Sequence, residues 1–365
     1  MRVTMVIPSM GSGGAERVMS VMVNYWAAKE WEITLITLAG GSSPPFYKLV
    51  SAVRYVPLGV ACDSSGFLSG LLNNFRRIKL LRREIIRSAP QVVISFIDST
   101  NVLSIIAAMG TGTPVIVSEH NDPFMWKIGR VWDELRKVTY PFAKKIVLLS
   151  ESSKSFYSIK VREKSIVIPN PIVSPAGAPD TSHDIPVKKP CVMAMGRFDS
   201  GKGFDILLKA FASAIDKNRE WSLVILGDGP LRRALEQMAV KLGIEPNVSM
   251  PGTVKNPFAY LRQADIFVLS SRYEGFPMAL CEAMACGAPV VSFDCKTGPG
   301  EIITDGADGI LVPAEDGEAL SFAVERLMKD KAKRARLGAN ATKIVDKFGV
   351  EKVMKQWEKV LQDVL

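Results

Sequence analysis

The chain has 365 residues, 47% of them hydrophobic, and a formal charge of +9 at pH 7, so it can bury two cores of ordinary size and should meet an acidic partner such as phosphate, nucleic acid or an anionic membrane. Five cysteines without a Cys-x-x-Cys pair, beside two histidines, exclude a zinc site and point to a reducing compartment. The longest apolar runs, such as VVISFI and IVLL, have strand length rather than the roughly 18 residues of a membrane span, and the N-terminal run reaches Gly11 without a cleavage-like end, so a cytosolic chain is expected.

The first predicted strand, RVTMVIPSM, runs into MGSGGAERV and then a helical pattern. A dinucleotide-binding loop needs Gly-x-Gly-x-x-Gly; here Gly11 and Gly13 are followed by Glu16 where the third glycine belongs. EITLITL and VRYVPL read as the next strands. NNFRRIKLLRREIIR, Asn73 to Arg87, has the period of an amphipathic helix with Phe75, Ile78, Leu81 and Ile85 on one face and Arg76, Lys79, Arg83 and Arg87 on the opposite one. Six of its fifteen residues are basic and one is Glu, a density that suits either a solvated face or an anionic ligand. QVVISFI, TPVIV and KKIVLLS complete a first βα series, and SEHND follows TPVIV at a strand end.

Ser165 to Pro190 is rich in proline and small polar residues and reads as a linker. A second series then opens with PCVMAMGR, WSLVILGDG, NVSMPGTV, DIFVLSS, APVVSFD and GILVP, and only helical periodicity remains after Pro313. Strands alternating with amphipathic helices predict an α/β chain with two parallel, doubly wound sheets. Ligands of such sheets bind at the carboxyl ends of strands, and two clusters of strand-end motifs suggest one cleft between two domains.

The second cluster has the chemistry of a diphosphate site. Arg197 and Lys202 are five residues apart on a glycine-bearing loop, where a guanidinium fork and a point-charge ammonium can both reach one pyrophosphate. Glu274 and Glu282 are eight apart. A helix beginning near Pro277 would leave Glu274 at the mouth of the cleft and Glu282 deeper, where an unpaired charge is costly and a ligand hydroxyl would relieve it. Between them, GFPMAL offers the free amides of a helix N-terminus. Asp228 in GDGP reads as a turn residue, and Cys281, Cys286 and Cys295 read as buried hydrophobes.

EGFPMALCEAMACGAPVV resembles the Glu-x7-Glu motif of retaining GT-B glycosyltransferases of family 4, and GRFDSGKGFDILLKAF and GDGPLRRALE resemble its other donor-side motifs. With GSGGAERV, SEHN and the C-terminal helix, the resemblance covers nearly the whole chain. It implies a GT-B fold of two Rossmann-like domains facing a cleft: residues 1–170, completed by a crossover helix at 347–365, bind the acceptor, and 171–346 bind the nucleotide-sugar. It implies that Arg197 and Lys202 hold the diphosphate, Glu282 the ribose, Glu274 the transferred sugar, backbone near Val254 the base and the amides of Met278 and Ala279 the distal phosphate. Phe276 joins this donor set, Gly13 and Gly14 bring backbone to a sugar-nucleotide phosphate, and His120 lies beside the donor sugar.

FIDSTNVLS, SEHND and RKVTYPFA resemble the subset of the family that extends glycans on polyprenyl diphosphate. In that subset a basic helix grips the lipid diphosphate, which implicates Arg76, Lys79, Arg83 and Arg87, with Arg17 also on the acceptor side. The expected activity is metal-independent, retaining transfer of a hexose or N-acetylhexosamine, N-acetylgalactosamine foremost, from a UDP-sugar to an undecaprenyl-diphosphate-linked glycan. No Asp-x-Asp is present to carry a divalent ion, no other cofactor is called for, and no glutamate is placed as a nucleophile, which favours front-face transfer through an oxocarbenium-like state. The expected location is the inner face of the cytoplasmic membrane, held peripherally by its anionic surface. A sugar-nucleotide 2-epimerase on the same fold and a non-catalytic UDP-sugar-binding protein are the competing readings; no nucleic-acid recognition motif accompanies the positive charge.

Overall fold

Continuous apolar runs form strands that are buried on both faces, the signature of parallel sheets covered by helices. A computed structural model describes residues 1–41, 44–61, 67–177, 187–216 and 218–365, which divide into two units, Met1–Pro171 with Glu351–Leu365, and Ile172–Val350. Cys62 and residues 178–186 of the expected linker lie outside the described residues.

In the first unit the order is β1 (Arg2–Ile7), α1 (Gly14–Ala28), β2 (Glu32–Thr37), β3 (Arg54–Pro57), α2 (Phe67–Ser88), β4 (Val92–Phe96), α3 (Asp98–Ala108), β5 (Val115–Ser118), α4 (Arg130–Thr139), β6 (Lys145–Leu148), α5 (Ile159–Arg162) and β7 (Ser165–Val167). The sheet runs β3-β2-β1-β4-β5-β6-β7 and every pair is parallel. The last strand corrects the linker reading at its start: the β-branched run Ser165–Val167 pairs with Ile146–Leu148 before Pro169 ends it.

The second unit runs β8 (Cys191–Met195), α6 (Phe204–Ile215), β9 (Ser222–Leu226), α7 (Arg232–Lys241), β10 (Val248–Gly252), α8 (Pro257–Leu261), β11 (Ile266–Leu269), α9 (Met278–Ala285), β12 (Val290–Asp294), α10 (Pro299–Ile302), β13 (Ile310–Pro313), α11 (Gly317–Lys329), α12 (Lys331–Ala341) and α13 (Ile344–Phe348). Its sheet order is β10-β9-β8-β11-β12-β13. The strand order reverses beside β1 and beside β8: Val3 is registered with both Ile33 and Val92, and Val192 with both Leu223 and Ile266. Loops that leave neighbouring strands on opposite sides of such a reversal diverge and open a ligand crevice.

Helix α14 (Val350–Val364) completes the first unit's core. Its stripe Val353, Met354, Trp357, Val360, Leu361 and Val364 is buried at helical spacing, and the Trp357 and Phe96 rings lie 6.4 Å apart. Two polar contacts reach α1 at the rim, Tyr25 Oη donating to Glu351 at 2.8 Å and Lys29 Nζ to Glu358 at 2.8 Å. Residues 347–350 stay with the second unit, where Ile172 N–H donates to the Phe348 carbonyl at 2.8 Å.

The basic helix α2 departs from expectation at one position. Leu81 and Ile85 are fully buried and Ile78 is half-buried, but Phe75 is 68% exposed, beside exposed Leu71 and Leu72. At 22 residues the helix is about 33 Å long, and its first half outruns the core that its second half covers. Among the described residues no helix is long and apolar enough to cross a membrane.

Because Trp357 is 2% exposed, Trp357→Ala should lower the first unit's stability by about 3–5 kcal/mol. Urea unfolding followed by tryptophan-independent circular dichroism checks this; an unchanged midpoint would show that α14 is not part of that core.

Candidate active site

After β8 the chain turns through Gly196–Gly203. Asp199 accepts the Gly201 N–H at 3.0 Å and caps the short turn Ser200–Lys202. Gly203 has φ +60°, and a Cβ there would stand 2.1 Å from the Ser270 carbonyl oxygen. Only glycine therefore lets this backbone meet the loop that leaves β11. Three bonds fasten the two loops: Ser270 Oγ donates to the Lys202 carbonyl at 2.9 Å, Arg272 N–H to the Gly201 carbonyl at 2.8 Å, and the Arg272 guanidinium to the Ser200 carbonyl at 2.6 Å. The same guanidinium forks onto Asp205 at 2.9 and 2.7 Å and reaches Glu315 at 2.9 Å.

This clamp brings Lys202 Nζ to Glu274 Oε1 at 2.6 Å. Ser271 Oγ donates to the same oxygen at 2.6 Å, and Thr297 Oγ1, from the loop after β12, donates to the Glu274 carbonyl. Burial works against the Lys202 charge, but the Glu274 carboxylate outweighs it by attraction and hydrogen bonding, so the ammonium is held above the usual lysine range. Glu274 is 8% exposed, against 2% for Glu282. Arg197 shares the loop but projects outward, 73% exposed, with Asp199 at 3.9 Å as its neighbour.

Helix α9 starts at Met278 behind Pro277, so the amides of Met278 and Ala279 occupy its first turn, where no intrahelical acceptor exists. Phe276 and Met278 are buried, Ala279 is half-buried, and Glu282 is 2% exposed within the helix. Burial and the nearby Glu282 and Glu274 charges push the Cys281 thiol well up, and burial with Glu274 pushes Cys295 to about 12, so both stay protonated; Cys286, expected to be buried, is half-exposed. Val254 is half-buried in the loop after β10. Asp228 accepts from Gly229 N–H and Arg232 as a turn residue does.

In the first unit Gly13 caps α1, and Glu16 turns back on it: a Cβ on Gly13 would meet Glu16 Oε2 at 2.3 Å, while Oε1 accepts from Ser9 Oγ at 3.1 Å. The space beside Gly13 is thus lined by a carboxylate, and Gly14 stands exposed as the first helical residue. Arg17 lies over the Tyr47 ring at 5.8 Å. His120 packs on Phe96 with ring centroids 4.1 Å apart, burial pushes it down to about 3, and its Nε2 is buried without a hydrogen-bond partner among the described residues. On α2, Arg77 donates to the Val60 carbonyl at 2.9 Å and Arg82 to the Ala107 and Met109 carbonyls. Arg76, Lys79 and Arg83 make no ion pair among the described residues and face solvent; Arg87 has Glu84 at 3.9 Å.

Sequence reasoning missed Ser271, Arg272 and Thr297. Ser271 and Arg272 stand in SSRYEG directly after DIFVL, and Thr297 follows APVVSFD by the same strand-end rule that found the others.

Residues 12–173 match the family described as Glycosyltransferase Family 4, and residues 180–344 the family described as Glycosyl transferases group 1. Over its whole length the chain is 32% identical to a Campylobacter jejuni protein, 99% of which is covered, named GalNAc-alpha-(1->4)-GalNAc-alpha-(1->3)-diNAcBac-PP-undecaprenol alpha-1,4-N-acetyl-D-galactosaminyltransferase. The chain belongs to glycosyltransferase family 4. As a family 4 glycosyltransferase it is also 26% identical, over 96% of both chains, to the amylovoran biosynthesis glycosyltransferase AmsD of Erwinia amylovora. Its fold matches Anabaena HepE in complex with UDP and glucose (TM-score 0.80, 18% identity, 99% of both chains covered) and S. aureus TarM in complex with UDP (TM-score 0.79, 14% identity, 99% and 100% covered). The two doubly wound sheets are those of a GT-B glycosyltransferase.

Gly203→Ala forces a side chain into left-handed backbone and onto the Ser270 carbonyl, and should cost the second unit more than ~1 kcal/mol. Unfolding in urea measures this; wild-type stability would mean that the two loops do not meet there.

Proposed function

We propose that this glycosyltransferase moves an N-acetylhexosamine, N-acetylgalactosamine foremost, from a UDP-sugar to an undecaprenyl-diphosphate-linked glycan, with retention of configuration and without a metal ion. The observation that carries this reading is the Lys202–Glu274 pair beside the strand reversal of the second unit. Such a pair can exchange partners. A diphosphate oxygen takes over the Lys202 ammonium, and the Glu274 oxygen released in turn accepts a hydroxyl of the transferred sugar. Arg197, exposed on the same loop, is available to close over the diphosphate. Both cations then neutralise charge that grows on the leaving UDP as the glycosidic bond breaks. Glu282 is assigned to the ribose diol, the Val254 backbone to the base, Phe276 to the donor set, the Met278 and Ala279 amides to the distal phosphate, Gly13 and Gly14 to close backbone approach, and neutral His120 to the transferred sugar. The full-length relationship to the Campylobacter protein supports the acceptor class.

On the acceptor side, Arg76, Lys79, Arg83 and Arg87 are assigned to the lipid diphosphate, with Arg17 beside the glycan. The exposed Leu71, Leu72 and Phe75 on the same helix give it the composition of a segment that lies in an anionic bilayer surface, apolar side chains in the acyl boundary and cations among headgroup phosphates.

Lys202→Ala, assayed in chelator with a UDP-sugar and a lipid-linked acceptor, should lower turnover on the order of 100-fold. Undiminished turnover, or a wild-type rate that needs manganese, would overturn the electrostatic mechanism. Replacing Lys79 and Arg83 together by Gln should cost about 1.5–3 kcal/mol of acceptor binding per lost charge-assisted contact, leaving affinity for the UDP-sugar near wild type. Kinetics with a short-chain diphosphate acceptor, free of vesicles, decide it: an unchanged KM would assign these residues to solvation or to bilayer attraction.

A further inference from the structure

His120 is only one member of the polar group that follows β5. Its neighbour Glu119 is 4% exposed, and the Tyr140 hydroxyl donates to Glu119 Oε1. Tyr140 is fully buried and accepts in turn from Asn101 Nδ2 at 3.2 Å, while the same amide donates to the Ser118 carbonyl at 3.0 Å. The charged and titratable groups around this carboxyl and the adjoining Tyr157 hydroxyl come from every element packed on it: Asp98 from the start of α3, Arg136 from α4, Tyr140 and Tyr157 from the turns beyond, Asp122 from the same loop. Three carboxyl groups therefore share a water-excluded space with one guanidinium.

That guanidinium is already committed. Arg136 donates to Asp133 at 2.7 Å and lies over the Phe156 and Tyr157 rings at 4.9 and 5.8 Å, and among the described residues it makes no hydrogen bond or ion pair with Glu119. The Asp98 oxygens accept the Ser99 N–H at 2.7 Å and Asn121 Nδ2 at 3.2 Å, at the N-terminus of α3. Asp122 Oδ1 accepts the Phe124 N–H at 2.9 Å. Adjacent buried carboxylates without a cation are too costly to ionise together, so one keeps a proton. Asp122 Oδ2 is buried without a hydrogen-bond partner among the described residues, but Asp98 and Asp122 each accept a main-chain N–H, whereas the hydrogen bond to the Glu119 carboxyl comes from the Tyr140 hydroxyl.

We propose that Glu119 is a protonated positioning residue of the transfer site, whose neutral carboxyl locks the Ser118–Asn121 corner and so holds His120 against Phe96. This rests on the assignment of His120 to the transferred sugar. Burial first, then the Asp98 charge, push Glu119 up to about 8, whereas burial keeps His120 neutral by pushing it down to about 3. Ionisation of Glu119 sets a second anion beside Asp98, and the corner relieves it by moving the carboxyl toward water, which carries His120 off its seat. Transfer then declines as pH rises through about 8, and the decline belongs to Glu119 and not to the histidine. The folded chain binds this proton more tightly than the unfolded chain, so folding stability falls as pH rises from 4.5, the ordinary glutamate value, toward about 8.

The test uses the full chain. Infrared spectra of the wild type should contain a protonated-carboxyl band at neutral pH that is lost around pH 8 and missing from Glu119→Gln, whose amide imitates the neutral acid. Turnover of the wild type should fall over the same interval, that of Glu119→Gln should stay level, and Glu119→Ala should be impaired at every pH. Absence of the band at neutral pH, or an alkaline decline in Glu119→Gln that coincides with the wild type, would overturn the proposal. The spectra and the urea stability profile need no substrate, so a wrong donor or acceptor assignment would fail in the assay and leave them standing.

Discussion

The chemistry of the second unit depends on one close approach of two backbones. Residues 202 and 274 are far apart in sequence, and they meet only because β8 and β11 are neighbours in the sheet and because Gly203 has no side chain to hold the Ser270 carbonyl away. Once the loops touch, Arg272 can bridge them with two hydrogen bonds while its guanidinium also holds Asp205 and Glu315, and Ser271 and Thr297 can fix the glutamate from two directions. A charged pair held on rigid strand ends loses little orientation when a ligand arrives. The charged pair is the visible part of a device whose working principle is steric.

Most of this architecture was legible because parallel strands buried on both faces read as unbroken apolar runs. All twelve runs taken as strands became strands, and the motifs found by looking just past their ends hold Lys202, Glu274 and His120. The misses have separate causes. Ser271 and Thr297 are small hydroxyl residues whose importance comes from what they touch across the sheet, a relation that spacing along the chain cannot carry. Phe75 was misplaced because helical periodicity tells which residues share a face but not how far the core extends beneath that face. The edge strand Ser165–Val167 was too short, and too close to prolines, to separate from a linker by composition.

The two units treat buried charge in different ways. In the second, the buried Glu274 carboxyl meets the Lys202 ammonium and the Ser271 hydroxyl on one oxygen. In the first, the carboxyl groups around Tyr140 and Tyr157 outnumber the available cations, and the balance is restored by a proton. The basic helix shows the same division of labour along a single element. Arg77 and Arg82 spend their guanidinium groups on main-chain carbonyls of their own unit, while the cationic groups of Arg76, Lys79 and Arg83 face solvent. A charge count over this helix therefore overstates what it can offer an anion.

Placing the last helix in the first unit's core has a consequence for synthesis. Phe96 and its neighbours are translated early, but the Trp357 side of their packing is made only after the whole second unit has been added. At ~5–20 residues per second the interval between Pro171 and Trp357 is roughly 10–40 s, far longer than the time a small domain takes to collapse. During that interval the first unit carries an uncovered apolar seam, so the nascent chain should depend on chaperone shielding, or on the ribosome's own surface, in proportion to how slowly the second half is read.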